Sequence, residues 1–314
     1  MNKTMKIAIK RHIVTPAVNL FYRGLFAMRR PCVNSDARYM FAICAIFRNE
    51  ARYMREWIEY HLLIGVDHIF LYNNFSTDDF MSILQPYIEK GVVTLTEWPR
   101  EHGQMECYMH CSANFGKSCR WIAFIDLDEY ICPHEATDIK EWIKRYEKYP
   151  GVILYWLMFG TAGRLHPDSE KTLIEQYTTS WQELRNTGKP IWNTAFPLEE
   201  LFVHYLYGSV SIFGIKFKVP MVNESGSFVV YPDHHPLPRH NTIRINHYWS
   251  KSIEEYHDKM ARGSAFSAKK NEIRRKVDFF LWHEHHVVRD DRVIFRFLTQ
   301  LKMRLNGLDF NLPK

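Results

Sequence analysis

Trp121-Ile122-Ala123-Phe124-Ile125, running directly into Asp126-Leu127-Asp128-Glu129, is where the chain declares its architecture. Five apolar residues bounded by charge describe a strand buried on both faces. The carboxylates of Asp126 and Asp128 stand at its carboxyl end with i, i+2 spacing. In an extended chain such residues point to one side, roughly 7 Å apart. Carboxylates that close repel unless a cation sits between them. Their hard oxygens suit Mg2+ or Mn2+, with phosphate oxygens completing the shell. A metal–diphosphate site explains spacing and position together. A pair that merely caps the following helix is the alternative reading.

The same strand-then-polar pattern recurs upstream. Phe41–Phe47 (FAICAIF) is a buried strand, followed by Arg48-Asn49-Glu50. Met54, Trp57, Ile58, His61 and Leu62 then recur at helical spacing, with Gly65 as the stop. Val66–Tyr72 is a second strand, followed by the polar, turn-forming Asn73–Asp79. A helix over Phe80–Ile88, a strand over Val92–Trp98 and a helix over Gln104–Phe115 lead to the opening stretch. Beyond it come a helix near Asp138–Tyr146 and a fifth strand, Val152–Phe159, ending at Gly160-Thr161-Ala162-Gly163. Repeated βα units predict an α/β fold with a mostly parallel sheet flanked by helices. Ligands bind such sheets at the carboxyl ends of the strands, where all three polar clusters fall. The first strand is followed by no G-x-G-x-x-G, and no G-x-x-x-x-G-K-[ST] occurs. A classical NAD fingerprint and a P-loop are thereby excluded.

The stretch 161–250 carries seven prolines and short aromatic runs, which predict loops and antiparallel strands that build a second, substrate-facing half. Ser252 and Glu255 have capping-box spacing at the start of a helix over 252–262, with Gly263 closing it. Residues 291–306 read as a further helix with apolar and basic residues. The expected organisation is a basic arm (1–40), a domain (41–263, with halves 41–160 and 161–263) and a basic, helical C-terminal segment (264–314).

Of 314 residues, 46% are hydrophobic and 24% charged, which fits a globular chain and excludes disorder and collagen. No run reaches the 18 apolar residues of a membrane span, and no secretory leader is expected. Aromatic residues are abundant, which fits flat, stacking binding surfaces with Trp156, Trp181 and Trp192 as candidates, against a default of core packing. The net charge of +6 is uneven. Residues 1–40 hold eight Lys/Arg and one acid, a net of +7, which leaves −1 for the rest. That distribution argues against a nucleic-acid binder. The arm mixes Leu20, Phe21, Leu25 and Phe26 with Arg23, Arg29 and Arg30. It reads either as a peripheral contact with an anionic membrane or as a loosely packed, solvated leader. Six cysteines without C-x-x-C read as reduced thiols of a cytoplasmic protein. Cys107 and Cys111, one helical turn apart, read as helix packing rather than metal ligands.

Four blocks of this chain, taken together, resemble the family-92 glycosyltransferases and their bacterial relatives of the family 2 type. They are FRNEARYMREWIEYHLLIGVDHIFLYNNFSTDD (47–79), WIAFIDLDEYICP (121–133), WLMFGTAG (156–163) and INHYWSKSIEEYHDKMARG (245–263). The resemblance covers about residues 41–263. It implies the GT-A fold, Rossmann-like, with a UDP-sugar donor, a Mn2+-type (or Mg2+) metal and inverting transfer of galactose. It also implies site residues. Asp126 and Asp128 match the D-x-D that binds metal and donor diphosphate. Arg48, Asn49 and Glu50 match the segment near the nucleotide, and Asn74, Ser76 and Asp78 the second nucleotide-facing loop. His247 matches the histidine that completes the metal shell. Lys251, with Lys259, is placed to meet phosphate.

An inverting transfer needs a carboxylate base for the acceptor hydroxyl. Asp168, after the fifth strand, is the candidate, with Glu199 and Glu200 as further ones. Arg164 stands where the family often has a histidine after FG-x-x-G. His234, His235 and His240 are weaker metal candidates than His247, and His283-Glu284-His285-His286 reads as a solvated loop. The expected role is metal-dependent glycosyl transfer to a glycan or lipid-linked acceptor in cell-surface polysaccharide or lipopolysaccharide synthesis, at the cytoplasmic face of the membrane. The alternatives are a nucleotidyl or phosphoryl transferase using the same Asp pair, and a non-catalytic glycan- or membrane-binding protein.

Overall fold

The structure, a computed structural model, describes residues 13–27, 29–230, 237–238, 241–262 and 272–308. His234, His235, His240 and Gly263 lie outside the described residues, as does the whole stretch 1–12. The strands are β1 (Tyr39–Phe47), β2 (His68–Asn73), β3 (Val93–Glu97), β4 (Cys119–Phe124), β5 (Glu129–Pro133), β6 (Gly151–Met158) and β7 (Thr179–Trp181). They continue with β8 (Arg185–Asn193), β9 (Leu198–Phe202), β10 (Tyr205–Ile212), β11 (Ile215–Pro220), β12 (Ile243–His247) and β13 (Val287–Asp290).

Eight of them form one sheet in the order β3-β2-β1-β4-β8-β6-β12-β5. β3, β2, β1 and β4 are parallel, β8 runs against β4 and β6, and β12 is parallel to β6. Only β5 and β8 therefore oppose the common direction. The chain lays β2 and β3 on one side of β1 and then returns to place β4 on the other. That reversal opens a crevice at the carboxyl ends of β1 and β4, where open α/β sheets take their ligands.

The elements follow from local sequence. β1 is buried from Phe41 to Phe47, as a central parallel strand must be. The helix Ala51–Leu63 buries Met54, Trp57, Ile58 and His61 on one stripe. It ends at Gly65, whose φ of +99° lies in a region that side chains avoid. Trp57 donates its indole N–H to the Glu129 carbonyl at 2.8 Å, so this helix sets where β5 begins. Ser252 and Glu255 form the expected capping box, with Ser252 Oγ 2.8 Å from Glu255 Oε2 and accepting from Glu255 N at 3.2 Å. Cys107 and Cys111 are fully buried in the core with Cys44, and all six thiols are free.

Three expectations change. The helix Thr15–Phe26 is docked rather than loose. Asn19 Nδ2 donates to the Phe228 carbonyl and Asn19 Oδ1 accepts from Phe228 N, while Tyr22 OH donates to the Lys218 carbonyl at 2.8 Å. The run 283–286 is no solvated loop, because it ends the helix Glu272–His285. His283 is fully buried and accepts from Trp181 Nε1 at 3.0 Å. Glu284 Oε2 accepts from the Thr161 hydroxyl at 2.7 Å. The run 291–306 is a 3-10 turn, Val293–Phe297, followed by the helix Leu298–Leu305. Among the described residues no helix is long and apolar enough to cross a membrane.

Candidate functional site

The chain does not stay extended after β4. Residues 127–128 turn, and Glu129 N donates to the Asp126 carbonyl at 3.1 Å while Glu129 Oε2 accepts from Asp126 N at 2.9 Å. The turn separates the two aspartates that an i, i+2 reading aims together. Asp126 points toward β8 and the helix Gln104–Phe115. Its Oδ1 accepts from Gln104 Nε2 at 2.9 Å and lies 3.3 Å from Tyr108 OH. Its Oδ2 meets Lys189 Nζ at 2.7 Å. Asp128 instead faces Lys259 Nζ at 2.6 Å and His247 Nε2 at 3.5 Å.

Antiparallel pairing sets His247 of β12 opposite Glu129 of β5. Asp128, Glu129 and His247 each offer a ligand atom within 4.8 Å of the others. Among the described residues this is a group that could hold a metal ion; it contains Asp128 and His247 of the expected trio together with Glu129, while Asp126 pairs with Lys189. Glu129 Oε1 and His247 Nδ1 are buried without hydrogen bonds and lie 3.9 Å apart. Oxygen and nitrogen ligands around one small divalent cation sit roughly 3–4 Å from one another. Two carboxylates and one imidazole with orphaned atoms therefore fit Mn2+ or Mg2+.

Electrostatics sharpens this picture. Burial opposes ionisation of Asp128, yet Lys259 and His247 outweigh it and hold the carboxyl well below the usual range. Burial pushes Glu129 well above its range, Lys189 opposes this, and Asp126 and Asp128 add repulsion. Burial lowers His247 against the pull of Asp128, which keeps the imidazole in its neutral, ligating form. Burial alone would depress Lys189, but Asp126 and Glu129 raise it above its ordinary value.

A cleft of about 410 Å³ adjoins the cluster, lined by Asn49, Glu50, Arg52, Tyr53, Ser250, Lys251, Glu255, Asp258, Lys259 and Ala261. Lys259 belongs to both, since it lines the cleft and reaches Asp128. Lys251, at φ +53°, pairs with Glu50 at 2.9 Å and covers the Tyr53 ring.

The remaining sequence candidates brace these loops. Asn49 N donates to Ser76 Oγ, Thr77 N to Asn49 Oδ1, and Ala51 N to Asp78 Oδ2. Asn74 Nδ2 donates to the Trp98 and Arg100 carbonyls. Arg48 lies over the Phe75 ring. Asp168 sits outside the cleft lining, 3.3 Å from Lys171. The hydrogen bond from the Glu170 amide lowers its pKa, desolvation opposes this, and Lys171 adds to the lowering. Glu199 and Glu200 pair with Lys216 and Lys218 on the small sheet β11-β10-β9. Trp192 is core, donating to the Phe196 carbonyl. Trp181 binds His283, and Trp156 packs against His247 with ring centroids 4.6 Å apart.

The fold is GT-A: an α/β domain whose crevice gathers carboxylates and lysines at the strand ends. Residues 38–205, more than half of the chain, match glycosyltransferase family 92. The chain belongs to that family. A family 92 protein of Ricinus communis is 28% identical over 152 residues, 46% of this chain and 27% of the relative. One of Oryza sativa is 33% identical over 111 residues, 35% of this chain and 19% of the relative. A galactan beta-1,4-galactosyltransferase of Arabidopsis thaliana is 26% identical over 138 residues, 40% of this chain and 26% of the relative. The chain thus aligns with about a quarter or less of these relatives. Among solved structures, S. aureus TarS 1-349 with UDP is 16% identical with a TM-score of 0.33, covering 50% of this chain and 47% of that one. The Pyrobaculum calidifontis mannosyltransferase PcManGT with GDP-Man and Mn2+ is 12% identical with a TM-score of 0.32, covering 60% and 55%.

Proposed function

We propose that this chain transfers a hexose, galactose foremost, from a UDP-sugar to a glycan or lipid-linked glycan, with inversion and with Mn2+ or Mg2+ as the cation. The proposed setting is cell-surface polysaccharide or lipopolysaccharide synthesis at the cytoplasmic face of a membrane. The observation that carries this reading is that Glu129 Oε1 and His247 Nδ1 are buried without hydrogen bonds beside Asp128 and next to a lysine-lined cleft. The named galactosyltransferase relative supports galactose.

Asp128, Glu129 and His247 would hold the cation, which when bound neutralises charge developing on the leaving diphosphate. Lys189 fixes Asp126 and shields the neighbouring carboxylates. Lys251 and Lys259 present their ammonium groups along the cleft wall, where diphosphate oxygens can compete with Glu50 and Asp128 for them. The acceptor hydroxyl needs a carboxylate base facing the anomeric carbon. Asp168 remains the sequence-derived candidate, and Asp258 joins it because it lines the cleft.

Calorimetric titration of UDP with Mn2+ and with EDTA, repeated on Asp128→Asn, tests the proposal. Metal-dependent binding that the variant loses is expected. Binding of equal strength in EDTA and in the variant would remove the metal from the reading, and no UDP binding at all would remove the donor.

A further inference from the structure

The helix Thr15–Phe26 turns its polar bonds inward. Asn19 and Tyr22 are spent on the Phe228 and Lys218 backbone, and Phe26 is buried against Tyr149 and Phe228. Its outward side, with Ile13 just before it, carries Pro16, Ala17, Leu20, Phe21 and Gly24, broken by Arg23. Leu20 and Phe21 are 74% and 54% exposed. A helix with apolar residues all round is ordinarily buried on every side.

The β10–β11 hairpin extends the same surface. The Phe217 and Phe21 rings lie with their centroids 6.3 Å apart, and Ile215, two residues along on the same strand face, is exposed. At the tip, Phe213 and Gly214 have φ of +51° and +79°. Such a two-residue turn favours Asn-Gly or Asp-Gly, and a bulky ring there is strained. Phe213 is nonetheless 100% exposed, so no packing among the described residues compensates the strain. Strain held at an exposed aromatic marks a working position.

We infer that this surface inserts into the interface of an anionic lipid bilayer, with Phe213 as the deepest group and the helix Thr15–Phe26 lying in the membrane plane. Charge selects lipid over a second copy of the chain. The sequence leading into the helix carries Lys3, Lys6, Lys10 and Arg11 and no acid, and Arg23 adds a further cation. Anionic headgroups complement that charge, whereas a two-fold contact between copies would set it against itself. The inference is independent of the donor chemistry proposed above.

The test is sedimentation of the full chain with phosphatidylcholine vesicles and with vesicles that also contain phosphatidylglycerol, at low and high salt. The wild type should pellet with the anionic vesicles, and less at high salt. Phe213→Asn should weaken this about tenfold through the loss of one buried aromatic ring. Because Asn suits the turn, its thermal midpoint should equal or exceed the wild type's, which separates lipid contact from misfolding. Leu20→Ser with Phe21→Ser should act in the same direction. Absence of pelleting, wild-type pelleting by both variants, or equal pelleting with neutral vesicles would overturn the inference. So would a dimer in light scattering that dissociates in Phe213→Asn.

Discussion

Lys189→Met removes a charge that is 1% exposed and sits 2.7 Å from Asp126 Oδ2 and 3.8 Å from Glu129 Oε1. At an effective dielectric near 20, the Asp126 contact is worth roughly 6 kcal/mol before desolvation. Burying the ammonium costs several kcal/mol, which the variant recovers, while the carboxylates lose their counterion. Removing one partner of a buried pair typically costs about 3–5 kcal/mol, and Asp126 is partly solvated, so a loss of about 3 kcal/mol is expected near neutral pH. Without Lys189 the folded-state pKa of Glu129, which burial already holds above its range and Lys189 opposes, rises further. Raised carboxyls favour the folded state at low pH and lose that advantage as pH climbs through them. The deficit against wild type should therefore shrink toward about pH 5. Urea unfolding followed by tryptophan fluorescence at the two pH values measures it. A deficit under about 1 kcal/mol, or one of equal size at both pH values, would refute the ion-pair reasoning.

Three further outcomes are expected. Glu56 accepts from Leu173 N and Ile174 N, and burial raises its pKa from 4.5 to about 7 against those bonds. Stability should fall by about 3 kcal/mol as pH rises from about 4.5 through 7, and Glu56→Gln should flatten that slope in denaturation curves. Gly188→Ala drives a Cβ into the Leu154 carbonyl oxygen, where the β6–β8 ladder shifts register. The contact is with backbone, so a loss of at least about 3 kcal/mol in denaturant midpoint experiments is expected. Asp258→Asn should lower kcat for sugar transfer by about a hundredfold or more if Asp258 is the base, with Asp168→Asn near wild type; the reverse pattern would return the role to Asp168.

The sequence by itself determined the scaffold. Continuous apolar runs such as FAICAIF and WIAFI must be buried on both faces, and helical stripes between them force parallel crossovers. Strand ends followed by polar clusters then locate the crevice at Arg48–Glu50 and Asp126–Glu129. Local chemistry was legible too: the Ser252–Glu255 cap forms because both partners lie one turn apart on the same segment.

Tertiary structure decided which atoms meet. The D-x-D spacing assumes extended backbone, but the turn at 127–128 sends Asp126 to Lys189 and Asp128 to Lys259. Glu129 enters the cluster only because β5 reverses and pairs with β12, more than a hundred residues later, which brings His247 opposite it. Lys189 belongs to a strand rich in polar residues, and nothing in its neighbours signals that it becomes fully buried between carboxylates. His283 reads as solvated because three polar residues follow it, yet the end of its helix packs under Trp181. Hydrophobic periodicity reports which face of an element is buried. Partners distant in sequence depend on how the sheet closes, and that is set by the packing of the whole domain.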